Sequence, residues 1–226
     1  SDYGIEEPMK VLLFFGRLHE IKGIDLIIDG FAEICKARSD VKLVIMGADE
    51  GELDSLRRQA SRIGLEDKII FTGFISGKRK LSIIKESTIC IQYSRYEQGA
   101  GAPFEAILCG TPIVVSDNSG AGLDVKRIDA GGIFKFGDRR SMSECVISTL
   151  NNYEFAKART ASAAERIKNE LSFEISIKNY YDLYCEGLLD DYETIIDYKS
   201  FKSNLFKYCK SNGYEFYDDV CVAQNN

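Results

Sequence analysis

The sequence of 226 residues lacks a long hydrophobic run, since no apolar stretch approaches the ~20 residues that are needed to span a bilayer. It also lacks a basic-then-apolar segment of the kind that directs secretion. With a net charge of −6, the chain has no excess of the basic residues on which nucleic-acid binding normally depends. These absences predict a cytoplasmic protein with no nucleic-acid partner, while leaving room for a small phosphate held by a few local donors.

Histidine is almost missing, and the seven cysteines form no CxxC pair. A zinc site needs clustered thiols or imidazoles, so a metal centre is not expected. An odd number of thiols cannot all be bridged, and several occupy apolar positions of predicted strands or helices. We therefore expect reduced cysteines in a reducing cytosol. With only three prolines and no proline- or serine-rich stretch, the sequence shows no long linker.

What the chain does have is a regular alternation of strand-like and helix-like segments from Met9 to about Asn152. Apolar runs that end at glycine, such as Val11–Phe15 before Gly16, are typical of strands buried on both faces. Strands that alternate with helices predict an α/β, Rossmann-like parallel sheet of about six strands, with helices on both faces and ligands at the carboxyl ends. The expected strands are 11–15, 41–46, 68–72, 88–93, 112–116 and 132–136.

Helices are expected between these strands, with Gly64 as the C-terminal cap of the second and Ser76 as the N-terminal cap of the third. Residues 1–189 would form the folded domain. Residues 190–226 are acidic and aromatic, and they are predicted to be a helical extension or linker in which a helix ends near Gly213. The helices predicted after the last strand are 141–151, 154–170 and 173–187.

The segment Tyr96–Ala106 is the most informative one, because it places two glutamates eight positions apart across a glycine-rich turn that opens into a helix. A strand, a glycine turn and a helix N-terminus form a ready site for phosphate, since unpaired N–H groups and the helix dipole point outward there. Glu105 is expected in the first helical turn, within reach of a sugar hydroxyl, and Glu97 on the loop before it. Either glutamate taken alone is more often simply solvated.

The loop Gly16–Gly23 follows the first predicted strand and contains Arg17 and Lys22. In a doubly wound sheet it faces the same crevice as the glycine-rich turn. A guanidinium and an ammonium beside a helix N-terminus can hold a diphosphate, although a basic pair in a loop is more often a solvated surface. His19 is expected to be solvated rather than bound to phosphate.

The run Gly120–Gly122 follows the fifth predicted strand and admits two interpretations. It can border the same donor pocket, or it can be a turn before a helix that Asp124 caps. The sequence favours neither.

Five segments, taken in order, resemble the nucleotide-binding half of the family 4 (group 1) glycosyltransferases. These are GT-B enzymes that transfer a sugar from a nucleotide donor with retention at the anomeric carbon. No single segment is decisive, and the ordered set over residues 9–187 carries the resemblance. The segments are Gly16-Arg17-Leu18 with Lys22-Gly23, Leu43–Gly47, Phe71–Ile75, Glu97 with Glu105-Ala106, and Gly110–Val115.

The resemblance implies a role for each matched residue. Gly16, Arg17 and Lys22 would belong to the donor site, with both cations on the diphosphate. Glu97 would be the catalytic residue beside the donor sugar, and Glu105 would accept hydrogen bonds from the ribose. Backbone groups would cap the distal phosphate at Gly99, Ala100 and Gly101 and would meet the base at Ile75.

The turn Gln98–Gly101 departs from the Gly-Phe-Gly run that the family usually has after its first glutamate. Small residues are retained, so a close approach of the backbone to phosphate survives. The pattern does not fix which amide would cap that phosphate.

The resemblance also implies the partners. The donor would be a UDP-, GDP- or ADP-sugar, used without a metal or other cofactor. The acceptor would be a glycan or lipid-linked molecule of polysaccharide or lipopolysaccharide biosynthesis, bound through an N-terminal domain that this chain is expected to lack. Alone the chain would therefore be inactive, and the full-length protein would be cytoplasmic with peripheral association at the inner face of the membrane.

Three other functions fit part of the pattern. A non-catalytic nucleotide-sugar-binding or interaction module would keep the same fold. A retaining glycosidase also uses two carboxylates, but it has no diphosphate to hold. A nicotinamide dehydrogenase suits the fold class, yet no GxGxxG turn follows the first predicted strand.

Overall fold

Six apolar segments of the sequence form strands, and each lies within two residues of its predicted bounds. The computed structural model describes residues 8–97, 101–170, 175, 177–178, 214–217 and 220–223. The chain divides into two compact units, residues 1–164 and 165–226. The strands of the first unit are β1 (Lys10–Phe15), β2 (Val41–Met46), β3 (Ile69–Gly73), β4 (Ile89–Gln92), β5 (Ile113–Ser116) and β6 (Gly131–Phe134).

Helices connect successive strands, as the alternation predicted, and short 3-10 turns at Glu20–Lys22 and Glu66–Lys68 precede α1 and β3 respectively. The helices predicted at 141–151 and 154–170 are confirmed with small shifts. The helix bounds are α1 (Ile24–Ala37), α2 (Leu53–Arg62), α3 (Gly77–Glu86), α4 (Gly101–Leu108), α5 (Gly120–Arg127), α6 (Arg139–Asn151) and α7 (Tyr153–Glu170).

The six strands form one parallel sheet in the order β3-β2-β1-β4-β5-β6, which is that of a doubly wound fold. In register, Leu12 of β1 lies opposite Leu43 of β2 and Ile89 of β4. The order reverses between β1 and β4, so the helices that follow these two strands pack on opposite faces of the sheet. A crevice therefore opens at their carboxyl ends, where ligands bind in this class of fold. The predicted α/β, Rossmann-like architecture is confirmed.

The strands are buried on both faces because helices cover each side of the sheet. Alternate strand residues such as Leu12 and Phe14 belong to one large cluster with α1, α2 and α6. Their neighbours, such as Leu13 and Cys90, are equally buried but point to the opposite face, where α4 and α5 contact β4, β5 and β6. Full burial of each large apolar side chain contributes about 1.5–3 kcal/mol.

The caps of two helices differ in part from the interpretation of the sequence, which for Asp124 was one of two alternatives. Helix α5 begins at Gly120, so Asp124 lies inside it, and the cap is Ser119, whose Oγ accepts a hydrogen bond from Gly122 N at 3.2 Å. Ser76 does occupy the N-cap position of α3, but its side chain makes no capping hydrogen bond. A tertiary contact adds to the Ser119 cap of α5, since Gly120 N donates to the carbonyl of Glu97 at 2.9 Å.

The second unit contains a two-stranded antiparallel sheet of β7 (Tyr214–Tyr217) and β8 (Val220–Ala223). This hairpin was not predicted, because neither strand shows a clear alternation of apolar and polar residues. The predicted helix before Gly213 and most of the one at 173–187 lie outside the described residues. Within the described residues, no helix combines the length and apolar composition needed to cross a membrane.

Candidate functional site

Three loops converge at the carboxyl ends of the central strands. They are the β1–α1 loop (16–23), the described part of the β4–α4 loop (93–97) and the β5–α5 loop (117–119). Arg95 N donates to the carbonyl of Ile21 at 2.8 Å and so joins the first two. Asn118 Nδ2 donates to the carbonyl of Ser94 at 3.2 Å and joins the second to the third.

A pocket opens between these loops and the N-terminus of α4. Its wall combines one cation, one carboxylate, three other polar side chains and small residues that let a ligand approach the backbone. The run Gly120–Gly122 borders it through Ala121, as one of the two interpretations of that run predicted. The lining residues are Lys22, Gln92, Ser94, Glu97, Gly101, Ala102, Pro103, Ser119 and Ala121.

Lys22 and Glu97 form an ion pair inside this pocket, with Lys22 Nζ donating to Glu97 Oε2. Only 18% of the lysine side chain and 29% of the glutamate side chain are exposed. Removal of either partner would leave a poorly hydrated charge, which is costly. The structure therefore brings together two residues that the sequence analysis assigned to one site.

Arg17 is not part of the pocket wall. Its Nη1 donates to both carboxylate oxygens of Glu50, at 3.1 and 2.9 Å, and 62% of its side chain is exposed. Gly16, just before it, donates its N–H to the carbonyl of Met46 at 3.0 Å. Leu18 N then donates to the carbonyl of Ala48 at 2.7 Å, so this part of the loop runs along the β2–α2 connection.

Glu105 lies on α4 and binds Lys80 of α3, whose Nζ is 2.7 Å from Oε1 and 2.8 Å from Oε2. The expectation that Glu105 falls in the first helical turn is wrong, because α4 begins at Gly101. Pro103 permits this start, since its missing N–H would have no partner in a first turn. Neither Glu105 nor Lys80 is among the residues that line the pocket.

Lys80 was missed by the sequence analysis, although a signal for it exists. Lys78, Arg79 and Lys80 occupy the first turn of α3, which contains no acidic residue. Cations are disfavoured at a helix N-terminus, so three in succession indicate that an anion lies nearby. Here that anion is Glu105, and the Lys80 ammonium also lies 5.4 Å from the ring centre of Phe15 at the end of β1.

The remaining predicted site residues have separate outcomes. Gly101 begins α4 and lines the pocket, and a Cβ placed there would meet no atom within 4 Å. Ile75 is half-buried between β3 and α3, outside the pocket wall. Gly99 and Ala100 lie outside the described residues. His19 caps the turn Glu20–Lys22, because its Nδ1 accepts a hydrogen bond from Ile21 N at 3.2 Å.

Tyr93 follows β4 and packs beneath the loops that form the pocket, between the aromatic rings near β6 and Gly23. Its ring makes edge-to-face contacts with Phe134 and Phe136, with ring centres 4.7 and 5.6 Å apart. Burial is the main cause that raises the pKa of the Tyr93 phenol, so the ring stays neutral at ordinary pH. Its backbone carbonyl lies against Gly23, where a Cβ would approach to 2.3 Å. This close contact fixes the spacing between the first two loops.

The described part of the chain contains no group of three or more His, Cys, Asp or Glu side chains placed to hold a metal ion. Its cationic and helix-terminal groups are instead suited to a ligand with several negative oxygens.

A family profile described as "Glycosyl transferases group 1" matches residues 1–166, which is more than half of the chain. This chain belongs to the group 1 glycosyltransferases. An uncharacterised glycosyltransferase of Methanocaldococcus jannaschii is 27% identical over 182 residues, which are 80% of this chain and 46% of that protein. The chain thus spans about half the length of the relatives that it matches.

Solved structures share the fold of this group 1 glycosyltransferase. Sucrose-phosphate synthase from Thermosynechococcus elongatus matches 83% of this chain and 48% of its own, with a TM-score of 0.73 and 20% identity. Anabaena HepE, solved in complex with UDP-glucose, matches 90% of this chain and 49% of its own, with a TM-score of 0.65 and 19% identity. At these identities the likeness concerns the GT-B-type fold alone.

Proposed function

We propose that this chain is the donor-binding domain of a retaining glycosyltransferase that uses a nucleoside-diphosphate sugar. The observation that carries the proposal is the Lys22–Glu97 pair, set in a pocket beside the N-terminus of α4 at the switch point of the sheet. A cation and a helix N-terminus at this position suit a diphosphate. A carboxylate beside them suits the hydroxyl groups of a sugar.

The proposed roles of Lys22 and Glu97 are supported by their place in the pocket wall, and those of Glu105 and Arg17 by the family resemblance. Lys22 and the first N–H groups of α4 stabilise the charge of the departing nucleoside diphosphate, which is electrostatic preorganisation and needs no metal. Glu97 lies beside the transferred sugar. Glu105, held by Lys80, accepts hydrogen bonds from the ribose. Arg17 adds a second cation once it exchanges Glu50 for phosphate, and this exchange costs little because exposed ion pairs contribute only about 0–1 kcal/mol.

The choice of donor is also a proposal. HepE, which has the same fold, was solved with UDP-glucose, so we expect UDP to be the best first probe among UDP, GDP and ADP. The proposed acceptor is a glycan or a lipid-linked molecule of polysaccharide or lipopolysaccharide biosynthesis. It would bind through the other half of a longer, cytoplasmic protein, with peripheral attachment to the membrane, and this chain alone would bind the donor without transferring the sugar.

Isothermal titration of the chain with UDP, GDP, ADP and inorganic phosphate tests the proposal. We expect at least one nucleotide to bind about tenfold or more tightly than phosphate, and Lys22→Ala to weaken it about tenfold, as expected for the loss of a charge-assisted contact. Lys36→Ala is the matched control, since Lys36 pairs with Glu33 on the exposed surface of α1. Equal affinity for all four ligands would refute the assignment.

A further inference from the structure

Arg95 holds three loops together at the edge of the pocket. Its Nη1 and Nη2 donate to Asp25 Oδ1 and Oδ2 at 2.8 and 2.6 Å, and Nη1 also donates to the carbonyl of Glu20 at 2.7 Å. Its backbone carbonyl accepts a hydrogen bond from Asn118 Nδ2 at 3.1 Å. Together with its backbone bond to Ile21, Arg95 therefore contacts the β1–α1 and β5–α5 loops from its place on the β4–α4 loop.

Two ion pairs join the same two segments, and each segment supplies the cation of one pair and the anion of the other. The β1–α1 segment supplies the cation Lys22 and, three residues later, the anion Asp25. The β4–α4 loop supplies the cation Arg95 and, two residues later, the anion Glu97. Each charge thus has an alternative partner within a few residues. Asp25 binds both terminal nitrogens of the Arg95 guanidinium, while Glu97 pairs with Lys22.

We infer that Asp25 and Arg95 are positioning residues that hold Lys22 and Glu97 in register for donor binding. This rests on the proposed function. Arg95 does not line the pocket. It acts by fixing the carbonyls of Glu20 and Ile21, which belong to the same turn as Lys22. A planar guanidinium suits this task, since it can bind a carboxylate with two parallel bonds and still reach a carbonyl.

A matched pair elsewhere separates this role from ordinary stabilisation. Arg38 donates to both oxygens of Asp40, at 2.9 and 2.7 Å, at the amino end of β2, whereas the pocket lies at the carboxyl ends of the strands. The side chains are similarly exposed, at 26% and 34% for this pair against 32% and 38% for Arg95 and Asp25. Arg38→Gln therefore removes a similar ion pair far from the pocket.

The first experiment measures UDP affinity by isothermal titration in a double-mutant cycle. We expect Arg95→Gln to weaken binding about tenfold, Arg95→Lys to recover part of the loss, and Arg38→Gln to leave the affinity unchanged. In the Lys22→Ala background, Arg95→Gln should have little further effect, because its influence passes through Lys22. Full additivity of the two substitutions would overturn the inference.

The second experiment needs no ligand. Amide hydrogen exchange of Lys22 and Gly23, which donate to the carbonyls of His19 and Glu20, should be about tenfold faster in Arg95→Gln and in Asp25→Asn than in Arg38→Gln. Unchanged exchange in both site variants would overturn the inference whatever the titration shows. If the unmodified chain preferred no nucleotide over phosphate, the proposed function would fall, and the exchange rates would still decide whether this pair positions Lys22.

Discussion

Lys22 lies within the pocket and Arg17 outside it, although the same short loop supplies both. The difference arises at Leu18, which is buried and pairs with the β2–α2 connection, so the residues before it turn away from those after it. Arg17 then meets Glu50 at the surface, whereas Lys22 meets Glu97 in a partly dry site. Two cations five residues apart can therefore interact with a bound anion with very different energies, because one is surrounded by water and the other by protein.

Glu97 is the residue whose substitution should affect the proposed sugar transfer most directly. In the full-length protein, Glu97→Gln should lower kcat about hundredfold, because a preorganised carboxylate beside the reacting sugar is lost. Release of nucleoside diphosphate from the preferred donor measures this. Glu86→Gln on α3 is the control and should leave kcat unchanged. A wild-type kcat in Glu97→Gln would show that this carboxylate has no catalytic role.

Cys145 allows a prediction about pH. Burial raises the pKa of its thiol to about 11, so almost none of it is thiolate at pH 8. Alkylation by iodoacetamide at pH 8 should be about a hundredfold slower in the folded protein than in urea, where the pKa returns to about 8.5. The rate should rise with pH up to about 11. Peptide mapping by mass spectrometry follows this site alone, and equal rates in both states would contradict the burial.

At the scale of elements, the junction between the turn Glu20–Lys22 and α1 depends on one glycine. Gly23 has φ +61, and an added Cβ would lie 2.3 Å from the carbonyl oxygen of Tyr93. Both features act against any side chain there, the first through backbone strain and the second through a clash. The contact also sets how closely the first loop approaches the β4–α4 loop.

Gly23→Ala should therefore lower the free energy of unfolding by about 3 kcal/mol. A left-handed residue usually costs about 1–2 kcal/mol, and the clash with Tyr93 accounts for the rest. Gly64→Ala is a close control, because Gly64 has φ +69 but open space around its Cβ. It should lose only about 1 kcal/mol. Urea unfolding measures both, and equal losses would show that the Tyr93 contact does not matter.

The strands were predictable, and the starts of several helices were not. Buried parallel strands are continuous apolar runs between polar or glycine residues, and these features belong to the local sequence. Helix α5 is capped locally by Ser119, but its first N–H, that of Gly120, is bound by the carbonyl of Glu97 from a distant loop. Such a long-range contact cannot be derived from spacing alone. The start of α4 is different, because Pro103 is a local signal for a first helical turn that the spacing argument did not use.

At the scale of the whole molecule, the motifs predicted which loops would meet but not which side chains would pair. Lys80 and Glu105 are 25 positions apart, and Arg95 and Asp25 are 70 apart, so no local pattern links either pair. The sheet order brings the loops together, and side-chain reach then decides the partners. Arg17 is an example, because the motif that placed it among the donor-binding residues did not predict its ion pair with Glu50.

The described pocket residues and the main hydrophobic cluster all lie between residues 12 and 146. We therefore expect a chain that ends after Glu170 to fold and to bind UDP within about twofold of the 226-residue chain. Circular dichroism and isothermal titration would check this. A folded, shortened chain with affinity reduced more than about tenfold would mean that later residues contribute to the site.

The pairing of β1 with β4 also affects how the chain folds while it is being synthesised. Lys22 and Glu97 are separated by 75 positions, and β2 and β3 are made between them. A ribosome must release the whole stretch before the two residues can meet. A ligand that needs both residues therefore cannot assist the folding of the earliest strands, and it can stabilise the finished pocket only once β4 has joined the sheet.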